Sequence, residues 1–121
     1  MRDWLVALFM VLGALFTLLA AVGVLRMPDV FTRLQAATKS ASFGTGATIL
    51  SVAIYFGELG ISTRALLVIV FIFLTAPVAA HMIARAAYRL GAPKWDGTVV
   101  DELAKNYNPE THTLTGDMPD R

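Results

Sequence analysis

The sequence predicts an all-α integral membrane protein with three transmembrane helices and a polar C-terminal tail. Hydrophobic residues make up 56% of the 121 residues and charged residues only 16%, against roughly 25% charged residues in soluble domains. The charges also cluster, so that they leave three long stretches with almost no ionisable group. Long uncharged stretches of this kind are typical of membrane spans.

The first stretch runs from Trp4 to Leu25 and contains 22 residues without a charge. As a helix it would be about 33 Å long, which is enough to cross the hydrocarbon core of a bilayer. Its apolar run is longer than the roughly 7–15 residues of a signal-peptide core. We therefore expect a retained span rather than a cleaved leader.

The loop that follows, from Arg26 to Lys39, combines charged residues with an apolar helical stripe. Pro28 and Asp29 suit the start of a helix, and Asp29 and Arg33 have the i, i+4 spacing of a helical ion pair. The pattern predicts a short helix that lies on the membrane surface and runs into the second span. Such a helix serves either as an interfacial anchor or as a docking element for a neighbouring subunit.

The second and third stretches complete the membrane domain. The second, from Ser40 to Gly57, is diluted by hydroxyl residues, and the third, from Ala65 to Ala84, contains His81 as its only ionisable residue. We place the spans at about residues 4–25, 40–57 and 65–84, within a membrane domain of residues 1–91 and ahead of a tail of residues 92–121.

The distribution of basic residues predicts the orientation, because cytoplasmic loops are enriched in Lys and Arg. The first loop and the tail share one side of the membrane and carry six of these residues near the ends of the spans: Arg26, Arg33, Lys39, Arg85, Arg89 and Lys94. The opposite side has only Arg2 and Arg64. We therefore expect the first loop and the tail in the cytoplasm and the N-terminus outside.

The tail is rich in proline, glycine and acidic residues. Val99, Val100 and Leu103 have the spacing of one short amphipathic turn. Beyond about Asn106 we expect little fixed structure unless a partner supplies it.

Small and hydroxyl residues recur at helical spacing in the second and third spans. They form one face on each helix: Ser40, Gly44 and Thr48 on the second, and Ala76, Ala80 and Ala84 on the third. Faces of this kind let helix backbones approach closely in lipid. They pack either the three helices on each other or this chain on other proteins, and the pattern favours neither interpretation.

The sequence offers no basis for an enzyme. It has no cysteine, no Gly-rich nucleotide loop, no Ser/His/Asp set and no cluster of metal ligands. Its net charge of +1 gives no basic field for nucleic acid. We expect no catalytic activity, cofactor, metal or nucleic-acid partner.

Two residues of the third span are candidates for a role in ion movement. His81 is either an interfacial side chain or a relay for protons or cations. Pro77 frees the carbonyl of Phe73, which must find another partner such as Thr75. The proline is therefore either a tolerated kink or a bend that lines an ion path. Because the spans contain no carboxylate, a free-standing transporter is disfavoured.

Two motifs stand out. Residues 23–39 read GVLRMPDVFTRLQAATK and are followed by Gly44, and residues 74–88 read LTAPVAAHMIARAAY. Together they resemble the G subunit of the Mrp-type (also Mnh or Pha) multisubunit sodium/proton antiporters. The resemblance extends from Leu5 to Tyr88 and leaves the tail outside. The two motifs are more specific together than either is alone.

The resemblance implies a small accessory subunit in the inner (cytoplasmic) membrane of a bacterium. It would work in a hetero-oligomer that exchanges sodium for protons, so its partners would be the other antiporter subunits and the lipid bilayer. It would support assembly of the complex and line part of the sodium route. Two alternatives stay open: a purely structural membrane subunit, and a related subunit of a respiratory or hydrogenase-type complex.

The resemblance also implies roles for residues of the two motifs. The first motif supplies loop residues that would dock a neighbouring subunit: Arg26, Pro28, Asp29 and Arg33. The second supplies residues that would serve the ion route or its coupling: Thr75, Pro77 and His81.

Overall fold

The computed structural model describes residues 1–98, 101, 103–104, 106–108, 110–111 and 113–114. Its three helices are α1 (Arg2–Arg26), α2 (Val30–Phe56) and α3 (Leu59–Arg89). A short antiparallel hairpin follows in the tail, formed by β1 (Tyr107–Asn108) and β2 (Thr113–Leu114).

The three helices form a row with α2 in the middle. The connections of residues 27–29 and 57–58 are short, so each reverses the chain and makes sequential helices antiparallel neighbours. α2 packs against both α1 and α3, whereas no Cα atom of α1 lies within 8 Å of a Cα atom of α3. Among the described residues only Ala20 and Ala65 are buried hydrophobic side chains. A surface this apolar needs lipid or protein around it.

All three helices are longer than the predicted spans. α1 and α3 are each long and apolar enough to cross a membrane. α2 has 27 residues, but it does not reach the same hydropathy, because its hydroxyl residues and Lys39 dilute the apolar ones.

α1 and α2 approach each other at paired glycines. A Cβ added to Gly44 would lie 2.5 Å from Thr17 Oγ1 and 2.8 Å from the Thr17 backbone nitrogen. A Cβ on Gly13 would lie 2.8 Å from the carbonyl oxygen of Gly44. The Thr17 hydroxyl donates to the Gly13 carbonyl at 2.8 Å, and the Thr48 hydroxyl donates to the Gly44 carbonyl at 2.9 Å. Each hydroxyl thus has its hydrogen-bond acceptor within its own helix.

α2 and α3 meet through small residues and aromatic rings. The α3 residues of the predicted small face are half-buried: Ala76, Ala80 and Ala84. A Cβ on Gly46 would come within 3.3 Å of the Phe73 ring. Phe43 of α2 lies between Phe16 of α1 and Phe73 of α3, with ring centroids 6.0 and 5.5 Å away. Contacts of this ring therefore involve all three helices.

The helix predicted between the first two spans forms and runs into the second span, but it is not a separate surface helix, because these residues are the first turns of α2 itself. No Gly or Pro interrupts the chain between Val30 and Ser40. A Cβ on Gly23 would collide with the Cβ of Ala36, so this part of α2 packs directly on α1.

The tail has more structure than predicted. Thr98 N–H donates to the Trp95 carbonyl at 2.9 Å and closes a turn. Beyond Asn106 the hairpin pairs Tyr107 with Leu114. Its turn forms because Asn108 Oδ1 accepts the backbone N–H groups of Glu110 and Thr111.

The predicted amphipathic turn lies mostly outside the described residues. Val99 and Val100 are among the residues that the structure does not describe. Leu103 is exposed, and its carbonyl accepts the backbone N–H groups of Asn106 and Tyr107.

We predict that Gly44→Ala destabilises the protein by about 1–3 kcal/mol, the usual cost of overpacking. The added methyl group would collide with backbone atoms of α1, so the two helices must separate. The measurement is thermal unfolding in mild detergent, followed by circular dichroism. Gly60→Ala is the matched control, since a Cβ there meets nothing within 4 Å. Equal unfolding temperatures for the two variants would contradict the close helix contact.

Candidate functional site

Two joined cavities lie between α2, α3 and the tail. The first, which we call the inter-helix groove, has a volume of about 450 Å³ and lies between the N-terminal half of α2 and the C-terminal half of α3. The second, the tail pocket, has a volume of about 850 Å³ and is closed by tail residues. Phe31, His81 and Ala84 line both cavities, so the groove leads into the pocket.

The inter-helix groove is apolar with a polar strip along α2. Its apolar wall includes Phe43, Phe73 and Pro77. The polar side chains are Gln35, Thr38, Lys39, Ser42 and His81. No carboxylate lines the groove and Lys39 does, so the groove alone is a poor site for Na⁺, which prefers oxygen ligands and negative charge.

Asp29 connects the start of α2 to the tail. As the N-cap of α2 it accepts the Thr32 backbone N–H at 2.7 Å and the Thr32 hydroxyl on Oδ1. Its Oδ2 accepts the Trp95 backbone N–H at 3.3 Å. Asp29 is buried. The Thr32 hydroxyl first, then the Thr32 and Trp95 backbone N–H groups and the charge of Arg33, hold its pKa below the usual value, although burial opposes this.

The predicted ion pair between Asp29 and Arg33 does not form. Arg33 Nε instead donates to the Met27 carbonyl at 2.8 Å. The physical reason is that Asp29 caps the helix rather than lying in its first turn. Its carboxylate therefore accepts hydrogen bonds from the backbone N–H groups of Thr32 and Trp95 instead of pairing with Arg33.

The other loop residues lie at the same end of the row. Arg26 is the last residue of α1 and is exposed, as is Arg33. Pro28 precedes the N-cap, where its fixed φ helps to keep the connection extended before the helix begins.

A second cluster holds the tail against α3. Tyr88 OH donates to Asp101 Oδ1 at 3.2 Å, and Lys94 forms an ion pair with Asp101 Oδ2. Lys94 Nζ also lies 4.2 Å from the centre of the Tyr88 ring, and Tyr107 packs edge-on against that ring. The Asp101 carboxylate raises the pKa of Lys94, and Lys94 lowers the pKa of Asp101.

The structure places the third-helix residues in two groups. Pro77 and His81 stand one turn apart and both line the inter-helix groove. Thr75 lines neither cavity, and its hydroxyl donates to the Phe71 carbonyl at 2.7 Å. The expectation that Thr75 bonds the Phe73 carbonyl is therefore wrong, because a helical threonine hydroxyl reaches the carbonyl four residues back.

Sequence reasoning missed the contacts between the tail and the helices. The spacing of Asp29 and Thr32 is that of an N-cap, and this signal alone could have indicated the start of α2. The bonds of Trp95 and Asp101 join residues far apart in the chain, and no local pattern indicates them. Within the described ranges, no three His, Asp or Glu side chains converge as a metal site requires.

The chain matches a known family over most of its length. The profile of the PhaG, MnhG and YufB family, described as Na⁺/H⁺ antiporter subunit, matches residues 9–88. The G subunit of the Na⁺/H⁺ antiporter of Alkalihalophilus pseudofirmus is 42% identical over 109 residues, which cover 87% of this chain and 90% of the relative. A UPF0091 protein of Pyrococcus horikoshii is 42% identical over 103 residues, covering 81% and 86%.

Two solved structures are similar. One chain of the membrane-bound sulfane sulfur reductase, an archaeal respiratory membrane complex, superposes with a TM-score of 0.75 at 40% identity. The match covers 83% of this chain and 93% of that one. A chain of the Mrp complex from a Dietzia species gives a TM-score of 0.78 at 24% identity, covering 84% and 91%. At that identity the second likeness concerns the fold alone.

We predict that docking of the tail is constant at neutral pH and is lost in acid. The pKa values of Asp29 and Asp101 are lowered from 3.8 in the folded state. Their contribution to stability is therefore complete above pH 3.8, and it disappears as the pH falls through the lower folded values. The readout is the fluorescence of Trp95 in a Trp4→Phe background.

The variant Asp29→Asn should make this acid transition shallower, because one of the two carboxylates no longer titrates. Asp3→Asn is the matched control, since Asp3 is exposed in the first turn of α1 and far from the tail contacts. A transition in Asp29→Asn identical to that of the unmodified chain would rule out the Asp29–Trp95 contact as a determinant of docking.

Proposed function

This chain belongs to the PhaG, MnhG and YufB family of Na⁺/H⁺ antiporter subunits, and on that premise we propose that it is an accessory membrane subunit of a multisubunit cation/proton antiporter that exchanges sodium for protons. The observation that carries the proposal is the family match over residues 9–88, which includes most of all three helices and the inter-helix groove. The groove has no carboxylate, which supports a function exercised together with other subunits rather than alone.

We propose that all three helices cross the cytoplasmic membrane of a bacterium. α2 packs between two helices that are each apolar enough to span, so it shares their depth in the bilayer. The N-terminus lies outside, and residues 92–121 form a cytoplasmic tail. The six basic residues gathered at one end of the row support this orientation.

The flat row supports a role in assembly. Each outer helix packs on α2, and α3 also contacts the tail through Tyr88, so the remaining faces are left for neighbouring subunits and lipid. At the cytoplasmic end, the exposed Arg26 and Arg33 contact a neighbour in this proposal. Pro28 and Asp29 act indirectly, since they fix the connection between α1 and α2.

We also propose that Pro77 and His81 line part of the sodium route of the complex. Both face the inter-helix groove, and His81 lies where the groove enters the tail pocket. Because Lys39 contributes positive charge there, the carboxylate that binds the cation belongs to another subunit. Thr75 has no part in this route, since it faces neither cavity.

A second candidate is a subunit of a respiratory-type membrane complex. The 40% identity with a chain of an archaeal respiratory membrane complex favours it specifically. The two candidates share the accessory role and differ in the partner subunits. In either complex the chain could instead be a purely structural subunit, in which case none of its residues touches the ion route.

We predict that affinity purification through a C-terminal tag, in mild detergent, recovers several larger membrane subunits. Mass spectrometry identifies them: proton-channel-like subunits alone indicate an antiporter, whereas additional redox-metal subunits indicate a respiratory complex. A tagged soluble protein of the same host is the control for carry-over. Recovery of this chain alone, after extraction conditions that preserve other membrane complexes, would contradict the accessory-subunit proposal.

We predict that Pro77→Ala leaves assembly intact but lowers sodium/proton exchange in inverted membrane vesicles. A residue that lines the route without binding the ion typically alters coupling by roughly 0.5–2 kcal/mol, or about two- to thirtyfold in rate. Pro93→Ala is the matched control, because Pro93 lines neither cavity. Normal exchange in an assembled Pro77→Ala complex would contradict a role for Pro77 in the sodium route and leave only a role in assembly.

A further inference from the structure

Two arginines of the tail pocket have no partner among the residues that the structure describes. Arg85 and Arg89 both line it and stand one turn apart on α3. Within the described part of the chain, neither guanidinium makes an ion pair or a side-chain hydrogen bond. Like charges at i, i+4 on a helix repel each other, so this arrangement favours binding of an anion between them.

The described acidic groups of the pocket neutralise these arginines only in part. Asp29 is bonded to Thr32 and to the Trp95 backbone. Asp101 is bonded to Lys94, Tyr88 and the Ala104 backbone. The charge of Lys94 is therefore matched by Asp101. Asp29 remains an anion, since its hydrogen-bond donors are neutral, so the three basic and two acidic described side chains of the pocket leave a net positive charge at Arg85 and Arg89.

The inter-helix groove extends the pocket towards the centre of the membrane. Along α3, the distance from Phe73 to Arg89 is about 24 Å at 1.5 Å per residue. One leaflet of a bilayer, including its headgroups, is about 20–22 Å thick. The walls are apolar at the Phe73 end and basic at the Arg89 end. This gradient of polarity and this length are those of a phospholipid.

We propose that the groove and the tail pocket together bind one anionic phospholipid, with its phosphate between Arg85 and Arg89 and an acyl chain against Phe43 and Phe73. Arginine binds phosphate oxygens with paired, charge-assisted hydrogen bonds. An anionic headgroup leaves the full negative charge for the arginines, whereas a zwitterionic one brings its own cation into the same pocket. The proposal needs only that α3 spans the membrane, and it is independent of antiporter function.

The test uses the full chain, purified in mild detergent and titrated with dioleoyl phosphatidylglycerol or dioleoyl phosphatidylcholine, with bound lipid counted by native mass spectrometry. We expect phosphatidylglycerol to bind about tenfold more tightly. Arg85→Gln with Arg89→Gln should weaken its binding at least about tenfold, since each charge-assisted hydrogen bond is worth about a factor of ten. Arg2→Gln with Arg64→Gln, at the opposite end of the row, should leave binding unchanged.

Two further variants separate charge, groove and folding. Arg85→Lys with Arg89→Lys keeps the charges and should restore much of the preference for phosphatidylglycerol. Ala80→Phe should fill the groove and weaken binding of the lipid. Helix content and unfolding temperature, measured for every variant, identify any that fails to fold.

Soluble anions distinguish a lipid site from a phosphate site. Glycerol 3-phosphate or inorganic phosphate that displaces the lipid at equal concentration would overturn the proposal in favour of a soluble anion. The proposal is equally overturned if phosphatidylcholine binds as tightly as phosphatidylglycerol, or if the glutamine variant retains full binding. Cross-linking of an acidic segment of another subunit into the pocket of the assembled complex, with no lipid bound, would also overturn it.

Discussion

The structure depends on the contact between α1 and α2 at Gly13 and Gly44. There the two backbones are too close to leave room for a methyl group between them. This close approach brings the Phe43 ring between the rings of Phe16 and Phe73. Packing of this kind replaces the hydrophobic effect inside a membrane, because apolar side chains gain nothing by leaving lipid for protein. The register of α2 against α1 and α3 thereby fixes the two cavities.

A row of helices leaves more of its surface for contact with other molecules than a closed bundle does. In a bundle of three, each helix contacts both others and the small-residue faces are used up internally. Here the Cα atoms of α1 and α3 are everywhere more than 8 Å apart, and many large side chains of both helices remain exposed. Such a chain has outer faces on both sides that are available to neighbouring molecules. It shapes a boundary between neighbours, and the groove between α2 and α3 is one surface of a space that other molecules complete.

Local patterns predict much of the fold, and long-range contacts account for most of what they miss. The three helices follow from charge-free stretches. The pattern of Ala76, Ala80 and Ala84 predicts a close-packing face of α3, but it does not predict which element meets that face. The continuous α2 is not predicted because the charges near Arg33 are typical of an interfacial segment, whereas Ala36 packs on Gly23. The tail contacts of Trp95 and Asp101 depend on which surfaces meet after folding, which no periodicity encodes.

The distribution of charge at the end of the row that carries the tail links the two proposals. Asp29 and Asp101 are engaged in holding the tail, so the entrance of the groove is left with Arg85 and Arg89. The net positive charge at these two arginines repels a cation that approaches His81. A bound phosphate would cancel that repulsion while its acyl chain covered the apolar wall. An anionic lipid in this position would therefore allow a sodium route to pass beside a chain that has no carboxylate of its own in the groove.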